Sequence, residues 1–188
     1  MFWSMKRLLM NKNLSIHRRF RLFESTVCKC VLWCCESWTP RAEEARALKV
    51  ARNRMLRRIV AAGRAPEEQW VDWIRRTTRR ANDTANRAGV AEWERAHYWK
   101  KWGWAGHVAR MPDAAWAARV TDWRSSQWQE RTDALGLCRP QRPSTRRWMK
   151  WEDAMRRYCN VLALGPWTDM AQSREVWSKH AAAFSKCW

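Results

Sequence analysis

The sequence predicts an all-α protein, an irregular bundle of about six to seven helices with a basic Pro/Arg-rich loop. Three observations carry that prediction. Apolar residues recur at steps of three and four, as in Phe20, Phe23, Val27, Val31 and Cys34. Prolines followed by acids open segments that glycines close, which is the asymmetry of helix ends. No stretch alternates apolar and polar residues as a half-buried strand would, and no repeat period is present.

The first helix spans Leu14 to about Cys34, with Arg18, Arg19 and Arg21 off its apolar stripe. Thr39 reads as the N-cap of a second helix, with Pro40 at its first position and Glu43 and Glu44 near the positive end of the dipole. Leu48, Met55, Leu56 and Ile59 mark its buried side; Lys49, Arg52, Arg54, Arg57 and Arg58 crowd the other faces, and Gly63 ends it. A third helix begins at Pro66 and reaches Ala88 before Gly89, with Trp70, Trp73, Ile74, Thr77 and Ala81 on its apolar side. The fourth runs from Val90 to about Trp102. Asp113 caps a short fifth, in which Trp116, Val120 and Trp123 align. Residues 125–145 have no period and read as the basic loop. A sixth helix carries Trp148, Trp151, Met155 and Tyr158 until Gly165-Pro166 breaks it; the last, from about Thr168, carries Ala171, Trp177, Ala181 and Phe184. The expected organisation is an N-terminal segment at 1–13, a helical region at 14–112 and a basic extension at 113–188, the latter two able to form one continuous domain.

Only 28 of the 188 residues are Leu, Ile, Val or Phe, a share at which highly charged chains are suspected of disorder. The 17 tryptophans offset this, since each can bury on the order of 150–250 Å². The expectation is a folded, loosely packed domain. A formal charge of +19 opposes compaction and favours polyanionic partners, nucleic acid first. No run of about 18 apolar residues is present, so a membrane span is not expected, nor is Met1 to Met10 a signal peptide. Seven cysteines, four of them crowded at 28, 30, 34 and 35 within a helical pattern, suit a reduced intracellular protein.

The residues offer little to catalysis. The aspartates are scattered singly, whereas a two-metal site needs converging carboxylates. Cys28, Cys30, Cys34 and Cys35 lack zinc spacing, so neither a metal nor a cofactor is expected. The stretch from Trp99 to Pro112 is the densest in candidates. Gly103 and Gly106 are expected to interrupt the helix there, while Trp38, Trp99, Trp102, Trp104, Gly106, His107 and Trp148 are read as structural. Around them, Arg54, Arg57, Arg58, Arg75, Arg76, Arg79, Arg80, Lys100, Lys101, Arg110, Arg142, Arg146 and Arg147 are the candidates for gripping RNA or DNA backbone. Exposed indoles beside them can stack on bases.

Five segments, in order, resemble the carboxy-terminal part of non-LTR (LINE-type) retrotransposon reverse transcriptases. They are 21–27 (RLFESTV), 31–39 (VLWCCESWT), 54–60 (RMLRRIV), 104–110 (WAGHVAR) and 142–148 (RPSTRRW). Trp33-Cys34-Cys35 stands where an aromatic-glycine step is usual, and no glycine precedes Arg142-Pro143. The resemblance implies a helical thumb with a basic extension, holding RNA template and nascent DNA, and a nuclear location within the cell. The family's aspartate pair lies on an upstream palm and is not in this sequence. The chain is therefore expected to be a remnant or one piece of a larger protein. It should not polymerise DNA alone, though a separate palm-bearing reverse transcriptase chain is a conceivable partner. The alternative is a degenerate or host-adapted helical module that binds protein and not nucleic acid.

Overall fold

Helices account for all the regular structure of the described residues, 1–122 and 151–187 of a computed structural model. In chain order the elements are α1 (Lys6–Leu9), α2 (Ile16–Phe23), α3 (Lys29–Val31), α4 (Ala42–Val60), α5 (Trp70–Arg87), α6 (Trp93–Ala109), α7 (Trp116–Asp122), α8 (Asp153–Val161), α9 (Trp167–Gln172) and α10 (Arg174–Phe184). The all-α prediction holds. The expected basic loop, with Arg142, Arg146, Arg147 and Trp148, lies outside the described residues. So does Trp123. The chain folds into two compact units, 1–100 and 101–187, whose border falls inside α6.

In the first unit, Ser15 caps α2 by accepting from the Arg18 N–H at 3.3 Å. A π-helical turn, Glu24–Cys28, joins α2 to α3. Its cause is local: the Ser25 and Thr26 hydroxyls both donate to the Leu22 carbonyl, at 3.2 and 2.6 Å, and such competition loosens the ladder. The wider turn brings Val27 and Cys28 inward together, beside Phe20 and Phe23. Cys34 departs from expectation. It adopts a left-handed conformation (φ 48°) after α3 and is exposed, while Cys35 is buried in its place.

α4 begins two residues later than Thr39-Pro40 suggests, because the Glu44 carboxylate accepts the Arg41 N–H at 2.7 Å. It ends on left-handed Ala61, not on Gly63. The carbonyls that follow are taken by α5: Trp73 Nε1 donates to Ala62 O at 3.2 Å and Arg76 to Gly63 O at 3.1 Å. α5 itself starts at Trp70, four residues past Pro66. Glu68 explains the delay, since it accepts the Ala65 N–H and pairs with Arg76, stabilising a separate turn. Gly89 closes α5 as expected, with φ +76° and the Val90 N–H returning to Ala85 O.

Two arginines overturn the simple stripe. Arg19 and Arg52 are buried, not solvated. Arg19 donates to Ile59 O at 2.6 Å, satisfying a carbonyl near the end of α4. Arg52 donates to Asn82 Oδ1 at 2.8 Å and to the carbonyls of Val90 and Ala91, tying α4 to α5 and to the turn before α6. An apolar residue at either place would remove these donors from the buried bonds to the Ile59 and Val90 carbonyls.

The second unit is built on an indole pair. Trp102 and Trp177 stack with ring centroids 3.7 Å apart and planes 4° from parallel. Each indole N–H donates to the other residue's carbonyl at 2.9 Å. Phe184 and Tyr158 close around Trp102. Gly103 and Gly106 do not interrupt α6, contrary to expectation. Gly106 is instead where Trp177 lies against the helix: a Cβ there would overlap the Trp177 indole, while one at Gly103 would meet nothing. Of the segments expected on the C-terminal side, α8 buries Met155 and Tyr158. The last expected helix divides into α9 and α10, with the Ser173 hydroxyl accepting from the Val176 N–H at the break. On α7, Trp116 and Val120 are 76% and 68% exposed, so that stripe is not a core stripe among the described residues.

Because the Trp177 ring is fixed by stacking and by its N–H, it has no easy way to move aside. Gly106→Ala should lower stability by about 1–3 kcal/mol, the range for overpacking, and Gly103→Ala should not. Thermal unfolding checks this, together with the near-ultraviolet circular dichroism of the stacked indoles, which should weaken only in the Gly106 variant.

Candidate nucleic-acid interface

The sequence nominates cations by composition; the structure sorts them by what they already hold. On α5 the sorting follows helix geometry. At about 100° per residue, Arg75, Arg76, Arg79, Arg80 and Arg87 fall within an arc of about 140° that also contains Asp72 and Asp83. All five arginines are exposed. The opposite side buries Thr77, Ala81 and Ala85 against the core. Small residues inward let α5 pack closely, and α4 is its main neighbour.

Within that arc Arg76 is committed to Glu68 by two bonds of 2.7 Å, and the pairing pulls the Glu68 carboxyl below its usual range. Arg75 lies 3.6 Å from Asp72, a loose surface pair of little energetic weight. Arg87 reaches the Asp83 carbonyl at 3.4 Å. Arg79 and Arg80 carry no ion pair among the described residues and are the arginines best placed for phosphate.

On α4, Arg54 is exposed. Arg57 is half-buried and donates to Thr78 Oγ1 at 2.9 Å, and burial lowers its pKa, with Arg54 adding to the shift. Arg58 sits over the Trp3 ring at 4.5 Å.

The α6 candidates divide sharply. Lys100 is exposed, with its ammonium donating to Leu32 O at 2.9 Å. Lys101, expected to face phosphate, is fully buried with its Nζ 5.6 Å from the Trp151 ring centroid. Burial lowers its pKa to about 8, against the opposing pull of the Asp153 charge. Arg110, also expected on the basic rim, is half-buried and donates to the Ala171 carbonyl, so it acts as a strut.

The residues read as structural also divide. Trp38 is half-buried against His97, with ring centroids 5.5 Å apart. Trp102 and Gly106 both meet Trp177 in the packed contact described above. Trp99, by contrast, is 52% exposed, and Trp104 and His107 lie on the surface with their rings 5.4 Å apart. One helix cannot bury Trp99, Trp102 and Trp104 on the same side, because residues 99 and 104 point about 140° apart. Sequence reasoning missed Arg19, Arg52 and Lys101 as interior residues. The signal was present for Lys101, which precedes Trp102 and shares its side of α6 with Ala105 and Val108.

No group of three or more His, Cys, Asp or Glu is placed to hold a metal among the described residues. No described helix is long and apolar enough to cross a membrane. The recess between Trp38, Leu48, Arg52 and His97 has room of only about 50 Å³, too little for a nucleotide. What the described residues of α5 offer is an array of exposed guanidinium groups on one helix face, a chemistry that suits phosphate.

The described residues are all-helical, the chain is strongly basic, and five exposed arginines share one face of α5. No family model matches it, and no solved structure matches it. A transposon-derived protein of Caenorhabditis elegans is 24% identical over 164 residues, which cover 85% of this chain and 52% of that protein. The chain thus spans about half the length of the relative it matches. The similarity supports a transposon-related origin.

The position of Lys101 gives a pH test. Its pKa falls from 10.5 in the open chain to about 8 in the folded one, so between those values the unfolded state binds more protons. Stability should therefore rise as pH increases through that window. The penalty is fully present below pH 8. Unfolding midpoints measured from pH 7 to 10.5 should show a rise in the wild type that is reduced in Lys101→Met, a variant that should also be the more stable of the two at pH 7 relative to its own alkaline value.

Proposed function

We propose that this chain corresponds to the thumb and post-thumb region of a non-LTR retrotransposon reverse transcriptase and holds a template–primer duplex by its phosphates. The observation that carries the proposal is the arginine arc of α5. A helix locked to α4 through Arg52, Asn82, Arg57 and Thr78 keeps its free guanidinium groups at fixed spacing. Arginine forks match phosphate oxygens and remain charged at any physiological pH. Nothing in this arrangement reads base edges, so binding is insensitive to sequence. The order of the five resembling segments and the transposon-derived relative support the same assignment. In this proposal the chain does no polymerisation alone, and a palm carrying paired aspartates has to come from elsewhere. A second assignment, a module that binds protein, is favoured by the exposed Trp116 and Val120 on α7. A pull-down that survives nuclease treatment would support that alternative.

The test is salt dependence. Binding to an RNA–DNA hybrid, followed by fluorescence anisotropy, should weaken steeply as salt rises through counterion release. Since each phosphate contact contributes about 0.9 to the slope, the triple variant Arg75→Gln, Arg79→Gln, Arg80→Gln should lower the logarithmic slope by about two to three and weaken all sequences alike. No binding at low salt, or a slope unchanged in the variant, would refute the assignment.

A further inference from the structure

A groove of about 680 Å³ in the first unit differs in kind from the α5 face. Its wall on α6 carries Arg95, Trp99 and Lys100, and Lys29 at the start of α3 faces it across the groove. Cys28, Leu32 and Val90 are its buried lining, and the small residues Gly89, Ala91 and Ala96 leave it open, a Cβ at Gly89 meeting nothing. Arg95 and Trp99 stand one turn apart, as do Ala96 and Lys100, so indole and cations share one side of the helix. Lys29, Arg95 and Lys100 are exposed, and so is half of the Trp99 side chain. Glu24 and Glu92 also line the groove. Each lies within electrostatic reach of the buried Arg52, which offsets their charge.

We propose that this groove seats a single-stranded polynucleotide, with one base stacked on the Trp99 indole and Lys29, Arg95 and Lys100 along the backbone. A half-exposed indole beside cations is costly to leave in water, and it has one use that a bare basic surface lacks: its face accepts an unpaired base. Such stacking is sequence-tolerant and requires a base freed from its own stack, so it selects single strands over duplex. The volume lies within the range of roughly 300–1,000 Å³ typical of ligand pockets, ample for a nucleotide. The proposal rests on the nucleic-acid role given above but assigns a different strand state to a different surface. On a template–primer it would hold unpaired template while α5 holds the paired part.

The experiment compares two probes on the full chain, a fluorescein-labelled oligothymidylate and the RNA–DNA hybrid. Trp99→Ala should weaken oligothymidylate binding about tenfold and leave hybrid binding unchanged, and Trp99→Phe should restore most of the loss. The exposed position of Trp99 makes a folding defect unexpected, and the Phe variant controls for one. If Trp99→Ala binds oligothymidylate as the wild type does, or loses both probes equally, the groove assignment is overturned. The α5 triple variant separates the two proposals. Loss of hybrid with oligothymidylate retained supports both; if that variant keeps the hybrid while Trp99→Ala still loses oligothymidylate, the α5 assignment fails and the groove stands.

Discussion

The second unit depends on the contact between Trp102, Trp177 and Gly106. Two indoles lie face to face, each N–H bonded to the other's backbone, and one ring rests where α6 has no side chain. Buried indole N–H groups need partners, and here the pair supplies them reciprocally. The arrangement fixes α10 against the C-terminal half of α6. With so few branched aliphatic residues in the chain, aromatic area replaces an aliphatic core. Phe184, Tyr158 and Trp167 extend the same solution.

A chain of charge +19 must also divide its cations between water and the interior. Some are drawn inside, each where a carbonyl or aromatic face awaits it: Arg19 on Ile59 O, Arg52 on Asn82 and the turn before α6, Lys101 over Trp151. Others brace the surface, as Arg76 does with Glu68 and Arg110 with Ala171. Among the exposed cations of the described residues, Arg79 and Arg80 share a face of α5, and Lys29, Arg95 and Lys100 line the groove beside α6. The proposed phosphate-binding role rests first on Arg79 and Arg80, which carry no ion pair among the described residues.

Much of the helical skeleton is legible in the sequence, because pairs and triplets such as Phe20–Phe23 on α2 and Trp177–Ala181–Phe184 on α10 repeat at the helical period. Helix starts are less so. Glu44 and Glu68 each cap a turn of their own, which moves the start beyond the proline that signals it. The glycines of α6 read as breaks, since a glycine needed for close approach looks the same in sequence as one needed for a turn. Site residues are harder still. A helical arc separates Arg79 from Ala81 on pattern alone, but nothing local distinguishes Arg52, whose partners Asn82, Val90 and Ala91 are 30 or more residues away. Trp99 reads as structural by proximity to Trp102, although a three-residue step places them on neighbouring, not identical, faces.

The division between used and unused cations can be measured directly by arginine-selective chemical modification read by mass spectrometry, with and without an RNA–DNA hybrid. In the free chain Arg75, Arg79 and Arg80 should react readily and Arg52 slowly; the hybrid should protect the α5 arginines and leave Arg52 unchanged. Reaction of Arg52 at the rate of Arg79 in the folded chain, or α5 arginines that stay fully reactive in saturating hybrid, would contradict the assignment.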